Sequence, residues 1–215
     1  MSTHPRLIEV RQNILKKNDI VARALRDRFR EMGIHVISLV SSPGSGKTML
    51  LEKTLARLRN ECKVAALVGD LATENDAVRL SRAGVPVRQI TTGTICHLEA
   101  AMIEKSLEQW IDPDLDILFI ENVGNLVCPS AYDLGESIRV VLLSITEGED
   151  KPLKYPAIFN TADVAVITKV DLTAAVEFDF NAAHRNIESV RPGMRVLELS
   201  ARTGQGMEDW FQLLR

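Results

Sequence analysis

The chain has 215 residues, 46% of them hydrophobic, which is enough for one large α/β core with a short appendage and too little for two independent cores. Its formal net charge of -3 gives no basic footprint, which excludes nucleic acid as a partner. No window approaches the roughly 18 consecutive apolar residues of a membrane span, and residues 1–11 are too polar for a signal peptide, so a cytoplasmic location without membrane contact is expected.

The apolar residues Leu7, Val10, Ile14, Val21, Leu25, Phe29 and Met32 recur at helical spacing, opposite a face dense in Lys and Arg. They predict a packing helix, with residues 1–33 laid against a domain spanning 34–215. After Gly33 come seven short apolar runs: Val36 to Val40, Val64 to Val68, Val85 to Ile90, Ile117 to Ile120, Ile138 to Leu143, Val164 to Ile167 and Val196 to Leu199. Separated by helical stretches, they predict an α/β fold with a doubly wound, mostly parallel sheet. Residues 146–160, with Gly148, Pro152 and Pro156, read as the long loop of the chain, and long structured loops tend to carry function.

The run Ser41-Ser42-Pro43-Gly44-Ser45-Gly46-Lys47-Thr48 lies between the first strand and a helix containing Leu50, Leu51, Leu55 and Leu58, the context a Walker A loop requires. Gly44, Ser45 and Gly46 let successive backbone N–H groups face one anion. Lys47 reaches the β and γ phosphates, and Thr48 offers its hydroxyl to Mg²⁺. Ser41 replaces the usual first glycine. Asp70 and Glu121 then close later strands, where both face the phosphates across the carboxyl edge of the sheet, and one of them completes the Mg²⁺ shell directly or through water. Gly124 stands where a backbone N–H swings toward the γ-phosphate. Lys47, Asp70, Asp76 and Glu121 form the candidate catalytic set.

Thr168-Lys169-Val170-Asp171 follows a strand and is similar to the Asn-Lys-x-Asp guanine motif. Guanine presents two adjacent donors that Asp171 accepts together, whereas adenine leaves the carboxylate unpaired. Lys169 lays its stem on the ring, and Ser200-Ala201 stands where a backbone N–H meets the guanine oxygen. The nucleotide is therefore expected to be GTP or GDP.

Three thiols in a reducing compartment leave burial, metal ligation or nucleophilic chemistry in place of a disulfide framework. Cys96 and His97 are expected at the start of a helix whose dipole lowers the thiol pKa. Cys128 falls four residues beyond Gly124, at the same carboxyl edge. Two thiolates and an imidazole suit Ni²⁺ or Zn²⁺ and not Mg²⁺ or Ca²⁺. Three ligands leave a tetrahedral site open, to be closed by water, by substrate or by a second copy of the chain. Cys62 reads as structural, and His35 and His184 as non-functional.

The segments Ser42 to Thr48, Cys96-His97-Leu98, Glu121 to Pro129 and Glu147 to Pro156 together resemble the signature segments of the HypB family, over almost the whole chain from Ser38 onward. The resemblance implies a SIMIBI-class P-loop GTPase that assists nickel insertion into [NiFe]-hydrogenase, working with a HypA-type zinc protein and the hydrogenase large-subunit precursor. It also implies that Cys96, His97 and Cys128 hold Ni²⁺ or Zn²⁺ near a nucleotide-dependent homodimer interface. A lysine of the 151–154 loop, with Lys154 the candidate, is implied to reach the partner subunit's guanine. The chain departs from the family in three ways: it lacks both a Cys-x-x-Cys-Gly-Cys motif and a His-rich stretch, Thr168 stands where Asn is commoner, and Glu99 where Asp is.

Three rivals remain. A urease-type nickel GTPase would carry Cys-Pro-His, which is absent. A P-loop small-molecule kinase would need an Arg-rich lid and an acceptor pocket. A passive metal scaffold would turn over nucleotide independently of metal. Finally, Ser2-Thr3-His4, once Met1 is removed, offers an amine, two amides and an imidazole in a plane, a square arrangement suited to Ni²⁺.

Overall fold

The computed structural model describes residues 5–71 and 75–215, with side chains from residue 12 onward. The Ser2-Thr3-His4 motif lies outside the described residues. In chain order the elements are α1 (Pro5–Met32), β1 (His35–Ser41), α2 (Lys47–Leu58), β2 (Val64–Asp70), α3 (Asn75–Ser81), β3 (Val87–Thr91), α4 (Ala100–Leu107), β4 (Ile117–Glu121), β5 (Ile138–Ser144), α5 (Lys151–Lys154), α6 (Pro156–Thr161), β6 (Val164–Thr168), α7 (Phe180–Val190), β7 (Arg195–Leu199) and α8 (Met207–Leu213). Short 3-10 turns follow β4, at Cys128–Ala131, and β6, at Val170–Leu172.

The strands pair in the order β3-β2-β4-β1-β5-β6-β7, every pair parallel. The sequence dictates this arrangement: β1, β2, β4, β5 and β6 are apolar on both faces and almost fully buried, so each face must be covered by helices. β1 sits centrally, with β4 on one side and β5 on the other. The chain winds away from it in both directions, which opens a crevice at its carboxyl end.

Three apolar clusters fill the layers. Leu50, Leu51 and Leu55 of α2 meet Trp210 of α8, whose indole Nε1 donates to Thr54 Oγ1 at 2.8 Å. On the other face Ala22, Leu25 and Phe29 of α1 pack with Ile103 and Leu107 of α4. Ile158 and Phe159 of α6 pack with Ile187 of α7 under β5 and β6.

Two sequence expectations are corrected. Within the described part of the α1 apolar stripe, Leu25 and Phe29 are fully covered, while Ile14 is 46% exposed. The 146–160 segment is not one long loop, because it folds into α5 and α6. Pro152 and Pro156 sit in the first turns of these helices, where a missing N–H costs nothing, so prolines that read as loop markers are helix starters.

Candidate functional site

The loop after β1 curls because Gly44 and Gly46 adopt left-handed backbone angles, φ 75° and 99°, and Gly46 caps the start of α2. The loop forms one wall of a cleft of about 680 Å³ at the carboxyl edge of the sheet. Lys47 is buried, and its Nζ donates to Ser41 Oγ at 2.9 Å. Burial holds its pKa below the usual lysine value, with Glu121 opposing. Ser41, a departure in the sequence pattern, thus supplies a seat for the lysine.

Across the cleft Thr48 Oγ1 donates to Glu121 Oε1 at 2.7 Å. Glu121 is buried, and burial pushes its pKa up to about 7 against the pull of Lys47 and Thr48. Its second oxygen, Oε2, is buried without a hydrogen-bond partner. Asp70, half-buried at the end of β2, accepts from Leu71 N at 2.6 Å, and Asp76, in the first turn of α3, lines the same cleft. These oxygens are a hard donor set of the kind Mg²⁺ takes. Gly124 touches the P-loop directly: a Cβ there would lie 2.9 Å from Pro43 Cα and 3.0 Å from Pro43 N.

Lys169, Asp171, Ser200 and Ala201 line the other end of the cleft. Lys169 holds a left-handed conformation, φ 61°, a strain that non-glycine residues adopt mainly at functional sites. Thr168 Oγ1 donates to Ser45 O at 2.7 Å, so the residue that stands where Asn is commoner ties the base loop to the P-loop. Lys154 does not line this cleft; it is exposed and paired with Asp150 at 2.6 Å.

Cys96, His97 and Cys128 come together, their ligand atoms within 4.8 Å of one another and the two sulfurs 3.0 Å apart. Among the described residues this is the group of three such side chains able to hold a metal ion. His97 is 9% exposed and stacks on Tyr132, ring centroids 4.0 Å apart. Neither ring nitrogen has a hydrogen-bond partner, and Nε2 lies 3.5 Å from Glu99 Oε1. Burial lowers the His97 pKa, opposed by Glu99, which favours the neutral imidazole that binds metals.

One expectation about this cluster fails. α4 begins at Ala100, so Cys96 lies a turn ahead of the helix and beyond the reach of a dipole that fades within the first turn. Cys62 packs against the apolar core, where burial and the nearby Asp116 and Glu61 push its thiol pKa up. His35 opens β1, and His184 pairs with Glu198 at 2.6 Å.

Three contributors were missed in the sequence. The Ser45 hydroxyl lies 2.5 Å from Glu147 Oε1, joining the 146–154 segment to the P-loop. Asn122 Oδ1 accepts from both Leu98 N and Val123 N, at 3.0 and 2.9 Å. Asn18 of α1 accepts from Ala100 N at 2.9 Å and donates to Asp133 O at 2.8 Å, bracing the start of α4. An Asn directly after a strand-end acid was the available signal for Asn122; nothing in the pattern marked Asn18.

Residues 35–198 match the family model described as CobW/HypB/UreG, nucleotide-binding domain. The chain is 48% identical over 206 residues to the hydrogenase maturation factor HypB of Azotobacter chroococcum mcd 1, an alignment covering 96% of this chain and 68% of that protein. It is similar to the crystal structure of HypB from Helicobacter pylori in complex with nickel, with TM-score 0.87, 42% identity, and 92% and 93% of the two chains covered. HypB from Archaeoglobus fulgidus gives TM-score 0.86 at 41% identity, covering 93% of this chain and 98% of that one. The fold is of the SIMIBI class of P-loop proteins. With the P-loop, the strand-end carboxylates and the Cys-His-Cys cluster on one sheet edge, the chain belongs to the CobW/HypB/UreG family and, within it, to the HypB hydrogenase maturation factors.

Proposed function

We propose that this chain hydrolyses GTP to GDP and phosphate and uses that cycle to bind and release Ni²⁺ destined for [NiFe]-hydrogenase, with Zn²⁺ as the competing ion at the same site. The observation that carries the reading is a single segment, Glu121 to Cys128, that begins in the nucleotide cleft and ends in the Cys-His-Cys cluster.

At the phosphate end, Lys47 binds the β and γ phosphates, and the P-loop amides hold them in line. Thr48 and Asp70, with Glu121 directly or through water, would hold Mg²⁺, which would supply charge neutralisation on the phosphate oxygens. Asp70, Asp76 and Glu121 are the groups available to orient the attacking water, and Gly124 follows the γ-phosphate. Asp171 selects guanine, Lys169 covers the ring, and the Ser200-Ala201 backbone meets the guanine oxygen. At the cargo end, Cys96, Cys128 and neutral His97 give a soft, incomplete donor set that exchanges its ion once a fourth ligand changes. A homodimer formed in the GTP state brings that fourth ligand and lets Lys154 leave Asp150 for the partner subunit's guanine. A HypA-type zinc protein and the hydrogenase large-subunit precursor are the partners at either end of the transfer, in the cytoplasm.

The test is a pair of Ni²⁺ titrations, one with GDP and one with a non-hydrolysable GTP analogue. Different affinities support the coupled cycle, and equal affinities overturn it. Phosphate release from GTP without any acceptor separates this reading from a small-molecule kinase.

A further inference from the structure

We infer that Leu98, held between Gly69 and Asn122, is the positioning residue through which the nucleotide carboxylates set the metal ligands; this rests on the coupled GTPase reading above and names its mechanical link.

Leu98 directly follows His97. Its side chain is fully buried and lies on Gly69: a Cβ at Gly69 would fall 2.8–2.9 Å from three Leu98 side-chain atoms. Gly69 is one residue before Asp70. The Leu98 amide donates to Asn122 Oδ1 at 3.0 Å, and Asn122, itself 2% exposed, is one residue after Glu121. The residue beside His97 is therefore clamped to both strand ends that present cleft carboxylates. Thr92 N donates to Asp70 O at 2.9 Å and fastens the other end of the same loop to β2. Asn125 Nδ2 donates to Cys96 O at 3.3 Å and ties the loop to the segment carrying Cys128.

A close-packed interior has no slack to absorb a displacement. A shift of the β4 end toward a γ-phosphate must move Asn122, and a shift of the β2 end must move Gly69. Either one pushes or pulls Leu98, and His97 with it. Gly69 has no side chain because Leu98 occupies that space. Asn122 Oδ1 accepts from two backbone N–H groups without placing a second acid beside the buried Glu121.

The experiment uses the full chain. Ni²⁺ affinity is measured with GDP and with the GTP analogue for the wild type, Asn122→Ala and Leu98→Ala, and nickel–thiolate absorption reports ligation by the two cysteines. The wild-type ratio of affinities is expected within about 5–150-fold, the usual range of site-to-site coupling. In either variant it should fall to within about twofold of unity while the nickel–thiolate band persists. A wild-type ratio retained in both variants overturns the inference and leaves the coupled function standing; a wild-type ratio of one overturns both. Because truncating buried groups can unfold the chain, the Leu98 amide resonance of the wild type is also compared between the two nucleotide states. A shift is expected, and no shift beside a ratio different from one overturns the inference.

Discussion

The Thr48 hydroxyl reaches across the cleft to the Glu121 carboxyl at 2.7 Å, joining the first turn of α2 to the end of β4. Burial pushes the Glu121 pKa up to about 7 against the pull of Lys47 and of the Thr48 bond, and its second oxygen is buried without a hydrogen-bond partner.

Stability should follow the Glu121 proton. The folded pKa of about 7 lies above the ordinary 4.5, so the folded chain binds the extra proton between these values. Stability from this group is complete below about pH 4.5 and is lost as pH rises through about 7, by on the order of 3 kcal/mol. Urea denaturation without Mg²⁺ from pH 5 to 8 should show this decline in the wild type and not in Glu121→Gln. Parallel curves for the two proteins would contradict it.

GTP should be hydrolysed and ATP not, by a factor of about 100 or more, because adenine leaves Asp171 unpaired. In Asp171→Asn the amide offers a donor where xanthine has an acceptor, and preference should pass to xanthosine triphosphate. Phosphate release from the three nucleotides decides it, and equal turnover of ATP and GTP by the wild type would remove the guanine assignment.

Gly124→Ala puts a Cβ 2.9 Å from Pro43 Cα and 3.0 Å from Pro43 N, both backbone atoms of the P-loop. Something must shift, at a cost of about 1–3 kcal/mol. The expected result is a roughly 10- to 100-fold weaker GDP affinity, the same energy read as binding. Isothermal titration measures it, and wild-type affinity would show that the P-loop does not depend on this approach.

Cys128→Ser removes one of the two thiolates and should weaken Ni²⁺ by at least about 100-fold, since even outer partners of a ligand are worth about 10–100-fold. GTP analogue affinity measured with and without Ni²⁺ should then become equal, because linkage is reciprocal. A Ni²⁺ affinity unchanged by Cys128→Ser would take that residue out of the site.

The sheet was legible because its inner strands are buried on both faces and read as unbroken apolar runs, which fixed β1 through β7 to within a residue or two. The P-loop and base residues were legible for a related reason: each follows such a run, so strand, turn and helix confirm the motif together. Ser41–Lys47, Ser45–Glu147 and Asn122–Leu98 were not. The second and third join residues 102 and 24 positions apart, and which segments meet depends on the order β3-β2-β4-β1-β5, which no periodicity reveals. Pro152 and Pro156 misled because proline breaks a helix interior and begins a helix equally well, and only the surrounding packing distinguishes the two uses.

The bond from Trp210 to Thr54 gives the protein an optical reporter of its own. Thr54 is on the helix that Lys47 and Thr48 open, and the indole is shielded from water in an apolar cluster, so it should emit at short wavelength and resist aqueous quenchers. The other indole, Trp110, is half-buried beneath the Arg88 guanidinium, 5.3 Å away, and should respond to quenchers. With acrylamide silencing the outer indole, the remaining fluorescence follows the P-loop helix in real time without any label.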